Sequence, residues 1–128
     1  MQVKSFEEAC QLRGYDANTV LPEVSNYPVN HQKAMIAFAK LVIINEAMNE
    51  GKKFDWNNYD QNKYYPWFDM EKDEENNPSG FRFHASTYVL SATYSIGGSR
   101  LCFFTREDAK FAGSHFEELY RDIMVNSD

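Results

Sequence analysis

Cysteine is scarce in this chain: Cys10 and Cys102 are its only two among 128 residues, far apart and without a CxxC pair. That excludes a disulfide framework and a cysteine-based zinc module, and both residues read as small buried hydrophobes. The three histidines, His31, His84 and His115, never fall at HxH or HxxxH spacing, so no metal site is nominated. Long apolar runs are also missing. The most apolar one, MIAFAKLVII at residues 35–44, has ten residues, about half the ~20 that a membrane span requires. Positive charge is in short supply, with 13 Lys and Arg against 19 Asp and Glu, a formal charge of −6. This weakens a generic nucleic-acid reading, because duplex binding draws its affinity from cations on phosphates. Lys4, Glu7 and Glu8 interrupt the opening residues, so these do not read as a signal peptide. The expectation is one globular domain over 1–128, cytoplasmic, with no membrane segment, no cofactor and no metal.

Aromatics are plentiful, at 16% of the chain. They concentrate in FDWNNYDQNKYYPWF at residues 54–68, where seven of fifteen positions are aromatic and nearly all the rest polar. Around this stretch the elements can be read from local chemistry. SFEE at residues 5–8 is a capping box that opens a first helix, and Gly14 closes it. Pro28 suits the first turn of a second helix running to about Glu50. In that helix Met35, Ile36, Ala39, Val42, Ile43 and Ala47 follow helical spacing, while Phe38, Leu41 and Ile44 fill much of the remaining circumference. Burial on more than one side is therefore expected. KYYPWFDMEK and FRFHASTYVLSATYSI read as strands, with Pro66 arguing for an edge or a bulge and residues 78–80 for a turn. Between these strands the acid-rich DMEKDEE at residues 69–75 reads as solvated loop. Gly97 and Gly98 then predict a turn into a third strand at residues 100–104. Thr105 and Asp108 cap a last helix with Ala109, Ala112, Phe116, Leu119, Tyr120 and Ile123 at spacings of three and four. The fold class expected is α+β: a small antiparallel sheet of about three strands with helices packed on one face, in the order helix, helix, strands, helix.

The blocks VLPEVSNYP, HQKAMIAFAKLVIINEAMNEG, WNNYDQNKYYPWF and GSRLCFFTREDAKFAGSHFEELYRD occur in this order. Together they resemble a family of small proteins encoded by Bacteroidetes genomes and their phages, over roughly residues 21–122. KYYPWF and GSRLCF are the distinctive parts, and the resemblance fails in the middle, between residues 70 and 96. It implies a phage or mobile-element origin and, by analogy, an accessory binding role. It implies no catalytic residues, since no activity is established for the family.

Nor do the residues themselves nominate any. Ser99 follows two glycines but leads into an expected strand, not into the helix that a nucleophile elbow or phosphate loop requires. Residues 97–100 could hold an anion with backbone N–H groups and the Arg100 guanidinium. The candidate binding surface is Trp56, Tyr59, Tyr65 and Trp67 with Arg82 and Arg100, and Lys52, Lys53 and Lys63 are further cations nearby. Alternation puts Tyr65 and Trp67 on one strand face and Tyr64 and Phe68 on the other. These rings serve either to cover the core's rim or to meet a partner. The first functional reading is a non-enzymatic protein that binds a macromolecule, a protein partner before others, with a homodimer as one form. The second is a small-molecule or nucleotide pocket, in which aromatics sandwich a base and Arg82 or Arg100 meets a phosphate. Single-stranded nucleic acid comes third.

Overall fold

A computed structural model describes residues 1–58, 60–69, 82–89 and 98–125, with 82–89 as backbone. The chain mixes helix and strand in the order α1 (Phe6–Arg13), α2 (Val29–Met48), β1 (Lys63–Asp69), β2 (Arg82–Val89), α3 (Gly98–Leu101), α4 (Arg106–His115) and α5 (Glu117–Met124). The turn expected at residues 78–80, Gly97 of the glycine pair and nearly all of the acid-rich run lie outside the described residues.

Local hydrogen bonds set the helix ends. The Ser5 hydroxyl accepts the Glu8 N–H at 3.0 Å and opens α1. Gly14, at φ +78°, closes it and lets the Tyr15 N–H reach back to the Cys10 carbonyl at 2.9 Å. A left-handed residue at this position is the ordinary glycine stop. Thr105 repeats the N-terminal device for α4, its hydroxyl accepting the Asp108 N–H at 3.1 Å. The Asp108 carboxylate does not return to the cap; it accepts from the Met1 ammonium at 2.8 Å. Thr105→Ala should cost about 1 kcal/mol, the usual worth of such a cap, read as a lower urea midpoint at unchanged slope.

β1 and β2 pair antiparallel, from Lys63 opposite Val89 to Asp69 opposite Arg82. The register shifts between Trp67 and Phe68, passing over His84, so β2 carries the additional residue of a bulge. On its other edge β1 exchanges two hydrogen bonds with Phe103, through the N–H and C=O of Tyr64, at 2.9 and 2.7 Å. Pro66, two residues on, shares that outer edge by parity. Its missing N–H therefore removes nothing from the β2 ladder.

The third strand expected at residues 100–104 is not there. The helical turn α3 occupies residues 98–101, and only Phe103 bridges to the sheet. The described residues thus hold a two-stranded sheet. The single last helix is also divided, by a turn at Phe116 with φ −108° and ψ 29° that seats its ring in the core.

One main core joins α1, α2, α4 and α5 to the sheet through Phe6, Leu41, Ile44, Phe68, Phe103 and Tyr120. α2 packs against both α1 and α5, and α4 lies against both strands. The buried stripe of α2 is Ala37, Leu41, Ile44, Asn45, Ala47 and Met48. Met35 and Phe38, expected inside, are a little over a third exposed, while Val42 and Ile43 are half-buried. A second, smaller cluster holds Tyr65 and Cys102 under Phe54 and Trp56. It lies on the opposite side of β1 from Tyr64 and Phe68, which pack into the main core.

Candidate functional site

A pocket of about 600 Å³ opens beside the C-terminal half of α2. Its walls come from the connector after α1, from α2, from residues 51–54 and from Arg100 of α3. The apolar part is Val20, Val42, Ile43 and Phe54. Phe54 is held by stacking on Phe104, ring centroids 4.1 Å apart and planes within 10°.

α2 and its C-cap contribute two amides one turn apart, Asn45 and Asn49, both buried. The Asn49 Nδ2 donates to the Cys102 carbonyl at 2.9 Å, whereas its Oδ1 has no hydrogen-bond partner. Neither polar atom of Asn45 makes a hydrogen bond either. Asn45 faces the Tyr120 hydroxyl; burial pushes that hydroxyl's pKa far up, and its interaction with the Asn45 side chain opposes the rise. Buried polar groups left in this condition cost free energy unless something pairs with them.

Charge at the pocket is one-sided. Lys52, Lys53 and Arg100 line it, and none makes an ion pair among the described residues. The acid in the lining, Glu46, faces Arg13 and Tyr15, with a hydrogen bond to its Oε1 and none to its Oε2. Arg13 Nε stands 3.5 Å from its Oε2, and the Tyr15 hydroxyl donates to its Oε1 at 2.9 Å. That hydrogen bond is the largest cause holding the Tyr15 pKa above its ordinary value. Gly51, at φ +73°, completes the wall. Its left-handed backbone favours glycine, and the Arg13 guanidinium, which a Cβ would meet at 2.5 Å, packs over the space a side chain would otherwise take.

The sequence-predicted residues separate. Arg100 is exposed and lines the pocket. Tyr65 is buried against Cys102. Trp56 is half-buried and packs on Phe54 at 6.4 Å, its ring covering the Lys63 ammonium at 5.0 Å. Trp67 is 50% exposed on β1, and none of Trp56, Tyr65 and Trp67 lines the pocket. Tyr59 and the Arg82 side chain lie outside the described residues. Lys63, a nearby cation by sequence, is fully buried and donates to the Gln61 carbonyl at 2.9 Å. A stacking platform needs exposed rings interleaved with exposed cations. Burial of Tyr65 and Lys63 removes two of its members.

Asn45 and Asn49 were not singled out in the sequence. Their signal is present all the same: two amides at i and i+4, the first interrupting the apolar stripe four residues after Leu41.

Behind the pocket, burial raises the Cys102 thiol pKa from 9.0 to about 11, with the Lys63 charge opposing. The folded protein therefore keeps this proton where the unfolded chain has lost it. Its contribution to stability is complete below pH 9.0 and is lost as pH rises through about 11. The fall in urea midpoint across that window should be shallower in Cys102→Ala, and iodoacetamide should leave both thiols of the native protein unmodified at neutral pH.

Comparison with protein-family models, with curated proteins and with solved structures finds no match.

Proposed function

We propose that this chain acts by binding rather than by catalysis, and that it holds a small molecule in the pocket beside α2. The observation that carries this reading is the pocket's build: about 600 Å³, within the roughly 300–1,000 Å³ usual for ligand sites, with apolar walls and, in Lys52, Lys53 and Arg100, three cations that pair with no acid among the described residues. An accessory protein of a phage or mobile element, as the resemblance implies, could work by such capture.

A macromolecular partner is the second reading. What favours it is Trp67, half-exposed on β1 away from the helix-facing residues Tyr64 and Phe68.

Native mass spectrometry of the protein isolated from cells separates the two. The small-molecule reading expects a one-to-one adduct that is lost in Val42→Trp, where an indole fills the pocket. A bare chain mass, or an adduct indifferent to that substitution, overturns it.

A further inference from the structure

The class of ligand can be taken further, resting on that reading of the pocket. The first constraint is what the walls withhold. Asn45 and Asn49 are the amides of the lining, yet the Asn45 Nδ2 and Oδ1 and the Asn49 Oδ1 are closed to solvent. The Asn49 Nδ2 is already bonded to the Cys102 carbonyl. Neither amide can therefore offer a hydrogen bond to what enters, and the accessible lining is mainly apolar, with Val20, Val42, Ile43 and Phe54 in it. A polar body would be desolvated against such walls without compensation. A hydrocarbon body would not.

The second constraint is that the apolar surface continues outside the pocket. Phe38 stands one turn before Val42 and Met35 two turns before it, on the same side of α2. Phe38 and Met35 are a little over a third exposed and belong neither to the main core nor to the side chains packed against it. The cations of this half of α2 are turned elsewhere. Lys33 reaches Asp122 at 3.5 Å, and the Lys40 ammonium lies over the Phe6 ring at 5.7 Å. An uncharged strip thus runs from Met35 through Phe38 and Val42 into the pocket, and a contiguous exposed strip of this kind marks a contact surface.

The third constraint is charge at the other end. Lys52 and Lys53 follow the C-terminus of α2, and Arg100 comes from α3. All three are exposed and pair with no acid among the described residues. A single anionic group needs only one of them, so the three side chains need not meet at a point. We infer that the ligand is an amphiphilic anion of the fatty-acid type. Its carboxylate lies among the cations after α2, and its unbranched chain lies over Val42 and onward along Phe38 and Met35.

Calorimetric titration of the full chain with octanoate, octanol and octylammonium tests the charge, since the three share one tail. Octanoate should bind one-to-one, at least ~10-fold more tightly than octanol at low ionic strength, and octylammonium more weakly than either. A triple variant, Lys52→Gln with Lys53→Gln and Arg100→Gln, should erase that preference and leave octanol's affinity unchanged. The three positions are exposed, so its melting temperature should match the parent's. Decanoate tests the strip: it should bind about tenfold more tightly than octanoate, as expected for two further methylenes taken from water. Phe38→Gln should remove most of that gain. If octanol or octylammonium binds as tightly as octanoate, the anion assignment is overturned while the pocket reading stands. If decanoate gains nothing, or keeps its gain in Phe38→Gln, the course of the chain along α2 is overturned. If no alkyl compound binds but aromatic fragments shift the amide resonances of residues 42–54, the ligand class falls and the pocket reading survives. If no compound of either kind perturbs those resonances, both are overturned.

Discussion

Replacing Phe103 by alanine is expected to destabilise the protein by about 3–5 kcal/mol, the range for deleting a fully buried phenylalanine. The residue is 0% exposed in the main core, and its backbone also makes both hydrogen bonds that tie β1 to the chain before α4. Its side chain and main chain thus fasten the sheet to the helices at one point. A single domain of this size is stable by roughly 5–15 kcal/mol, so the loss is a large share of the total. In urea it should appear as a lowered midpoint with little change in slope. Val29→Ala, at a position 84% exposed, is the control and should stay within about 0.5 kcal/mol of the parent. A Phe103→Ala variant as stable as that control would mean that Phe103 does not join the two halves of the fold.

Val42→Trp should reduce small-molecule binding by ~100-fold or more, equivalent to about 2.7 kcal/mol or more, with the fold retained. Val42 lines the pocket from a half-buried position on α2 and is not a member of the main core. An indole there has the pocket to grow into, so the usual overpacking cost of a small-to-large change is limited. Circular dichroism and the melting temperature should therefore remain close to the parent while affinity collapses. The contrast with Phe103→Ala is informative: one substitution removes stability, the other removes only space.

How much of this was legible in the sequence follows from how local each cause is. The caps at Ser5 and Thr105 and the glycine stop at Gly14 depend on a few neighbouring residues, and the structure has them where the sequence placed them. The edge position of Pro66 was readable for the same reason. The third strand was not, because LCFF is a short apolar run, and such runs do not distinguish strand from buried helical turn by periodicity. Leu101 ends a helical turn, whereas Phe103 makes an isolated bridge. The inward face of α2 was hidden by excess: apolar residues surround the helix, so spacing could not choose between Leu41–Ile44 and Met35–Phe38. Neighbouring elements made that choice. Of the aromatic stretch, the sequence could say that some rings would cover the core; it could not say that Tyr65 and Lys63 would be inside while Trp67 stayed out. The pocket combines residues from four parts of the chain, so the sequence could offer Arg100 as an anion contact and Lys52 and Lys53 as nearby cations, but not the walls that bring them into one lining.

The most direct test of the pocket is an amide chemical-shift map of the isotopically labelled protein, recorded against a library of small aromatic fragments, charged and neutral. Binding in the pocket predicts shifts concentrated in residues 42–54 and at Arg100, absent from Val42→Trp. Shifts confined to β1 around Trp67, or no shifts at all, would contradict it.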